Sequence, residues 1–165
     1  MEKKNKQNRL KSCDGFSMME LLTAMAIIAV MSAIAIPNFF AWRQSAKLNS
    51  ATRVLMSDLS MARMHAIKSY NPSVNGVKVL FSANGYKVFI DDDDNNAVDA
   101  GEEVLRDNQY PAGVSMSAIT FTGHRTVFAR TGAVSPSGSV TLSRSSGPLM
   151  KVIVSTVGRI RVETV

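Results

Sequence analysis

Gly15-Phe16-Ser17-Met18-Met19-Glu20-Leu21-Leu22 opens an apolar run that continues through Ile36 and on to Phe39, Phe40, Ala41 and Trp42. Between Phe16 and Trp42 the one charge is Glu20, and Leu21 to Ile36 is sixteen residues without any. A helix over this run rises about 1.5 Å per residue and reaches roughly 40 Å, enough to cross a hydrocarbon core of about 30 Å. Upstream, Lys3, Lys4, Lys6, Arg9 and Lys11 stand against Glu2 and Asp14, so the first 15 residues supply +3 of a formal net charge of +6. A basic flank before an apolar run holds the N-terminus in the cytoplasm. By itself the run fits a signal peptide, with Ala33-Ile34-Ala35 as its small-residue cleavage site, or a plain transmembrane anchor. Both readings leave Glu20 without a reason, because a carboxylate in hydrocarbon costs several kcal/mol unless it is paired.

Pro37 removes a backbone donor and crowds the preceding turn, so it marks either a bend in the helix or its end. Downstream, Leu48, Ala51, Leu55, Leu59, Ala62 and Ala66 recur at three- and four-residue steps. They predict an amphipathic helix from Ser45 to about Tyr70 with this stripe against a sheet. Arg43, Lys47, Arg53, Asp58 and Arg63 lie mostly off the stripe, and Met56, Met61 and Met64 flank it as packing residues.

After Asn71-Pro72 the texture turns to short β runs. Val77–Phe81 and Tyr86–Ile90 flank Asn84-Gly85, a strong hairpin signal because both residues tolerate positive φ. Val114–Thr122, Thr126–Ala129, Ser139–Ser143, Met150–Ser155 and Arg159–Val162 are further candidates, punctuated by glycines and Pro136. A long helix followed by antiparallel strands is an α+β architecture. The expected organisation is a basic segment over 1–15, an apolar half-helix long enough to cross a membrane over 16–42, an amphipathic half over 43–70 and a β-rich head over 71–165. A chain of 165 residues has room for one modest core, and without that first segment it is only mildly basic, at +3.

The segment from Gly15 to Leu22, with its basic leader, its acid four residues after Phe16 and its later Pro37, resembles the processing site of type IV pilins and pseudopilins. That resemblance implies cleavage by a prepilin peptidase between Gly15 and Phe16 and N-methylation of Phe16. It implies that Glu20 waits in the membrane until assembly, then pairs with the α-amino group of Phe16 on a neighbouring subunit. Pro37 would be the family's helix kink. The partners implied are other pilins or pseudopilins through the N-terminal helix, the peptidase and the bacterial inner membrane. The head would lie in the periplasm until the subunit joins a type IV pilus or a type II secretion pseudopilus. Phe128, Gly132, Gly138-Ser139-Val140-Thr141-Leu142 and Gly158-Arg159-Ile160-Arg161 resemble the GspH/FimT group of minor subunits, so that the resemblance spans most of residues 15–162.

Two further stretches carry candidate chemistry. Counted from Asp91, oxygen side chains fall at positions 1, 3, 5, 9 and 12: Asp91, Asp93, Asn95, Asp99 and Glu102. This is the calcium-ligand spacing of an EF-hand loop, with Asn96 where glycine is usual and strands in place of helices. The alternative is a solvated turn, since acidic and Asn residues favour hairpin tips. Arg159 and Arg161, two apart on an expected strand, would share a face. They resemble a motif linked to DNA uptake in the FimT branch, and paired arginines suit phosphates. The alternative is a basic surface strand or contacts with a neighbouring subunit.

Catalysis finds little support. His65 and His124 have no nucleophile or carboxylate at a diagnostic spacing, and no phosphate-cradling glycine loop occurs. The one cysteine, Cys13, lies in the leader and lacks the apolar run that a lipoprotein acylation site needs.

Overall fold

The computed structural model describes residues 15–68, 76–145 and 147–165. Residues 1–14 of the expected leader, with Cys13, therefore lie outside the described residues, as do Tyr70 and Asn71-Pro72. The chain divides into two compact units between Phe40 and Ala41.

One helix, α1 (Met18–Lys68), contributes its first part to one unit and the rest to the other. Ser17 precedes it as an N-cap, its Oγ accepting the Glu20 backbone N–H at 3.2 Å. Helical backbone continues past Pro37, so the reading of that proline as a helix end is set aside. Up to Phe40 every described residue but the half-buried Ser32 is exposed. Phe16, for example, is 84% exposed and Ile34 73%.

The second unit is built on the predicted stripe. Leu48, Ala51, Leu55, Leu59, Ala62 and Ala66 are all buried in one core with the strands. β1 (Val77–Ser82), β2 (Gly85–Ile90), β3 (Val104–Gln109), β5 (Arg125–Phe128) and β6 (Val134–Ser135) form one antiparallel sheet in the order β3-β2-β1-β5-β6. β4 (Val114–Ile119), β7 (Gly138–Arg144), β8 (Met150–Val154) and β9 (Ile160–Thr164) form a second, ordered β4-β7-β8-β9. β1 and β2 pair as the Asn84-Gly85 hairpin requires, with Val79 opposite Val88 and Phe81 opposite Tyr86. These four side chains are buried and face the stripe's core, where Phe81 stacks on Phe121 at 5.0 Å between centroids. The head is thus two sheets, and it includes β3 and β6, which the sequence pattern does not announce.

Three cations outside the apolar core tie the helix to the rest of the head. Lys47 Nζ donates to the Ala112 carbonyl at 3.2 Å. Arg63 donates through Nε to Gly132 O and through Nη2 to Val157 O, both at 3.3 Å. Arg144 Nη1 donates to Ala41 O at 3.2 Å and to Ser45 Oγ at 2.8 Å. Gly158 is required at its turn: its φ is +75°, and a Cβ there would lie 2.1 Å from Gly132 O.

Two expectations for the helix need correction. Asp58 is 7% exposed and belongs to the packed face. Its Oδ2 accepts from the Tyr86 hydroxyl at 2.6 Å and from the Asn108 side-chain amide, and Arg106 Nε lies 3.5 Å from Oδ1. Met64 is 54% exposed and lies outside the core, whereas Met56 lies against it.

Candidate functional site

Gly15, Phe16 and Glu20, the residues expected to serve processing and assembly, lie at or just before the start of α1. Gly15 and Phe16 precede the helix and are exposed. Glu20 is the one acid of the first helical turn, three residues after the Ser17 cap. An anion there is favoured by the helix's positive end, and a Ser-x-x-Glu spacing suits a helix start. Glu20 therefore has a local role beside any role in assembly, and Ser17 is a participant that the processing pattern alone does not single out. The helix behind them is long and apolar enough to cross a membrane.

In the head, the acidic stretch forms the loop between β2 and β3. Its base is closed by Ile90 N–H donating to Glu103 O at 3.0 Å. Asn96 turns the chain with φ 67°, as a left-handed residue at the sixth loop position should, and Asp94 does likewise at 60°. Asp91, Asp93 and Glu102 converge, each offering an oxygen within 4.8 Å of the other two. Asn95 Nδ2 donates to Asp93 Oδ2 at 2.8 Å and also to Asp99. Glu102 braces the loop by accepting the Asp92 and Asp99 backbone N–H groups at 3.2 and 2.9 Å. All five residues of the expected set thus belong to one local network.

The group that sequence reasoning misses is Lys78. It is 3% exposed on β1, and its ammonium donates to Asp91 Oδ2 at 2.6 Å, Asp94 Oδ1 at 2.5 Å and Asn96 Oδ1 at 3.2 Å. Burial would lower the lysine's pKa, but hydrogen bonds and charge from Asp91 and Asp94 outweigh it and hold it above its ordinary value. Burial likewise would raise the Asp91 carboxyl; Lys78 and the backbone groups of Asn96 and Asp94 pull it below the ordinary range instead. A single Lys inside Val77-Lys78-Val79-Leu80 gives no signal of this in sequence, since its partners come from the next hairpin.

The two arginines are only partly brought together. Arg161 lies in β9 and pairs with Glu163 at 3.3 Å. Arg159 stands one residue ahead of the strand in a turn, where its backbone N–H donates to Ser155 Oγ at 3.1 Å. Both are exposed, but Arg159 lines an open groove with Met56, Ser60, Arg63 and Met64, and Arg161 does not.

The family comparisons agree with both halves of this description. Residues 10–36 match the prokaryotic N-terminal methylation motif, covering Gly15, Phe16, Glu20 and most of the apolar run. No curated protein and no solved structure matches the chain. Residues 51–158, from the packed half of α1 to the turn before β9, match the type II transport protein GspH, and the chain belongs to that family.

Proposed function

We propose that this chain is a minor pilin or pseudopilin, cut by a prepilin peptidase between Gly15 and Phe16 and methylated on Phe16. It is held in the bacterial inner membrane by its helix, with the head in the periplasm, until it enters a type II secretion pseudopilus or a type IV pilus. One observation carries the reading. An apolar helical half stands exposed behind a single acid, which follows the exposed Phe16 by four residues. Such a surface needs lipid or copies of itself, and a lone carboxylate within it needs a cation. Glu20 would find that cation in a neighbour's Phe16 amine, fixing register while apolar packing supplies cohesion.

Mass spectrometry of the native chain tests the processing: the mature form should begin at methylated Phe16. Glu20→Ala should leave membrane insertion intact and reduce incorporation into filaments. A native chain that keeps its lysine-rich leader, or a variant incorporated normally, refutes the corresponding step.

A second reading, capture of extracellular DNA, rests on the exposure of Arg159 and Arg161, with Arg159 sharing its groove with Arg63. Binding of this kind weakens steeply with salt. A gel shift at low salt should show weaker binding by the Arg159→Ala/Arg161→Ala variant, and equal affinity removes these residues from the case.

A further inference from the structure

We infer that the loop between β2 and β3 is a calcium site built on Asp91, Asp93 and Glu102, with Asn95 and Asp99 beside them. The inference does not depend on the filament reading. It begins with Asp91, which is 1% exposed. Its Oδ2 takes the Lys78 ammonium at 2.6 Å and the Asn96 backbone N–H at 2.8 Å. Its Oδ1 is buried and meets no donor in hydrogen-bond geometry, the nearby Asp94 backbone included. Buried acceptors without a donor are rare in native proteins, and each one asks for a partner. A solvated turn supplies none, because this oxygen is out of water.

The spacing of the neighbours fits a calcium ion. Oxygens of Asp91, Asp93 and Glu102 lie within 4.8 Å of one another. Calcium bonds of about 2.3–2.6 Å hold three oxygens spread evenly around the ion roughly 4.0–4.5 Å apart, so an ion could be shared by all three with at most a small contraction of the loop. Magnesium, with bonds of about 2.0–2.1 Å, spans less and demands a stricter geometry.

Charge points the same way. Residues 91–103 hold seven carboxylates, Asp91 to Asp94, Asp99, Glu102 and Glu103, in a chain that is otherwise cationic. Among the described residues, Lys78 is the cation inserted among them, and its bonds go to Asp91, Asp94 and Asn96, leaving Asp93, Asp99 and Glu102 uncompensated. Between Asp93 and Asp99 stands only the neutral amide of Asn95. A divalent ion would relieve this repulsion where the lysine does not reach. The lysine also subtracts one charge from the site, which places the affinity in the weak range of extracellular modules, about 0.1–1 mM.

The test is calorimetric titration of the full chain in detergent, freed of metal, with calcium chloride and separately with magnesium chloride. Saturable calcium binding near that affinity is expected, with magnesium weaker. Asp93→Asn and Glu102→Gln, both outside the core, should each weaken calcium about tenfold or more. Asp91→Asn also breaks the contact with Lys78, so the first two variants carry the test. Calcium at about 10 mM should raise the thermal midpoint of the parent and not that of the combined Asp93→Asn/Glu102→Gln variant. Absence of saturable heat up to that concentration, or unchanged affinity in both variants, overturns the site.

Discussion

Replacing Lys78 by Met removes the ammonium and keeps the length of its stem. Lys78 is 3% exposed and Asp91 1%, so the variant leaves a carboxylate facing no counter-charge inside the fold. Breaking a buried pair by removing one partner costs about 3–5 kcal/mol. The head unit from Ala41 to Val165 is roughly 120 residues, and an unfolding entropy of about 2.1 cal/mol/K per residue gives about 0.25 kcal/mol per degree. The midpoint should then fall by roughly 12–20 °C, read by circular dichroism on the head at pH 7. An internal control is at hand in Lys87, which meets Asp107 at 3.1 Å with both side chains about half exposed. Lys87→Met should cost less than about 1 kcal/mol, under roughly 4 °C. Lys78→Met/Asp91→Leu should recover much of the loss, because burying neither charge is often as good as burying both. If Lys78→Met falls by no more than the Lys87 control, the buried pair does not organise this loop.

Leu55→Ala, at a fully buried stripe position, should cost about 3–5 kcal/mol in urea unfolding, while Val54→Ala, 45% exposed next door, should stay within about 0.5 kcal/mol; equal losses would misplace the stripe. Gly158→Ala combines a φ of +75° with a clash against Gly132 O, and should destabilise by more than about 1 kcal/mol, whereas Gly101→Ala, with nothing within 4 Å, suffers the φ strain alone. Stability should be flat at intermediate pH and fall at both ends. The Asp91 carboxyl is depressed, so its contribution is in place above about pH 4 and is lost as acid protonates it in the fold. Lys78 is raised by its acidic partners despite its burial, and Tyr86 and Tyr110 are raised chiefly by burial, so their contributions hold below about pH 10 and fade above it. Urea midpoints across pH that rise above 10 would contradict all three assignments.

The long helix and its stripe were legible because periodicity acts locally: each of the six stripe positions is set by its own i+3 or i+4 neighbours. The Asn84-Gly85 hairpin was legible for the same reason, its turn chemistry being written in two adjacent residues. β3, Val104-Leu105-Arg106-Asp107-Asn108-Gln109, shows no apolar alternation, since it is an edge strand exposed along most of its length. Pairing with β2 makes it a strand, and pairing is a property of two segments. Asp58 could have been placed on the packed face, being three after Leu55 and four before Ala62. Its charge argued for water, and only the fold brings Tyr86 and Asn108 to it. The acidic loop's spacing was readable in full, but neither Lys78 nor the stranded oxygen of Asp91 was, because both depend on which strand lies beneath. The arginines show the reverse case, a spacing that promised one strand face and yielded a turn residue and a strand residue.

Lys47, Arg63 and Arg144 fasten the helix to the head through carbonyls reached from residues 41 to 63, roughly 33 Å of rod. A subunit drawn by its stem is loaded in shear along that length. With rivets at both ends of the seam and an apolar weld between them, traction spreads over the whole joint, and no single hydrogen bond has to bear the haul.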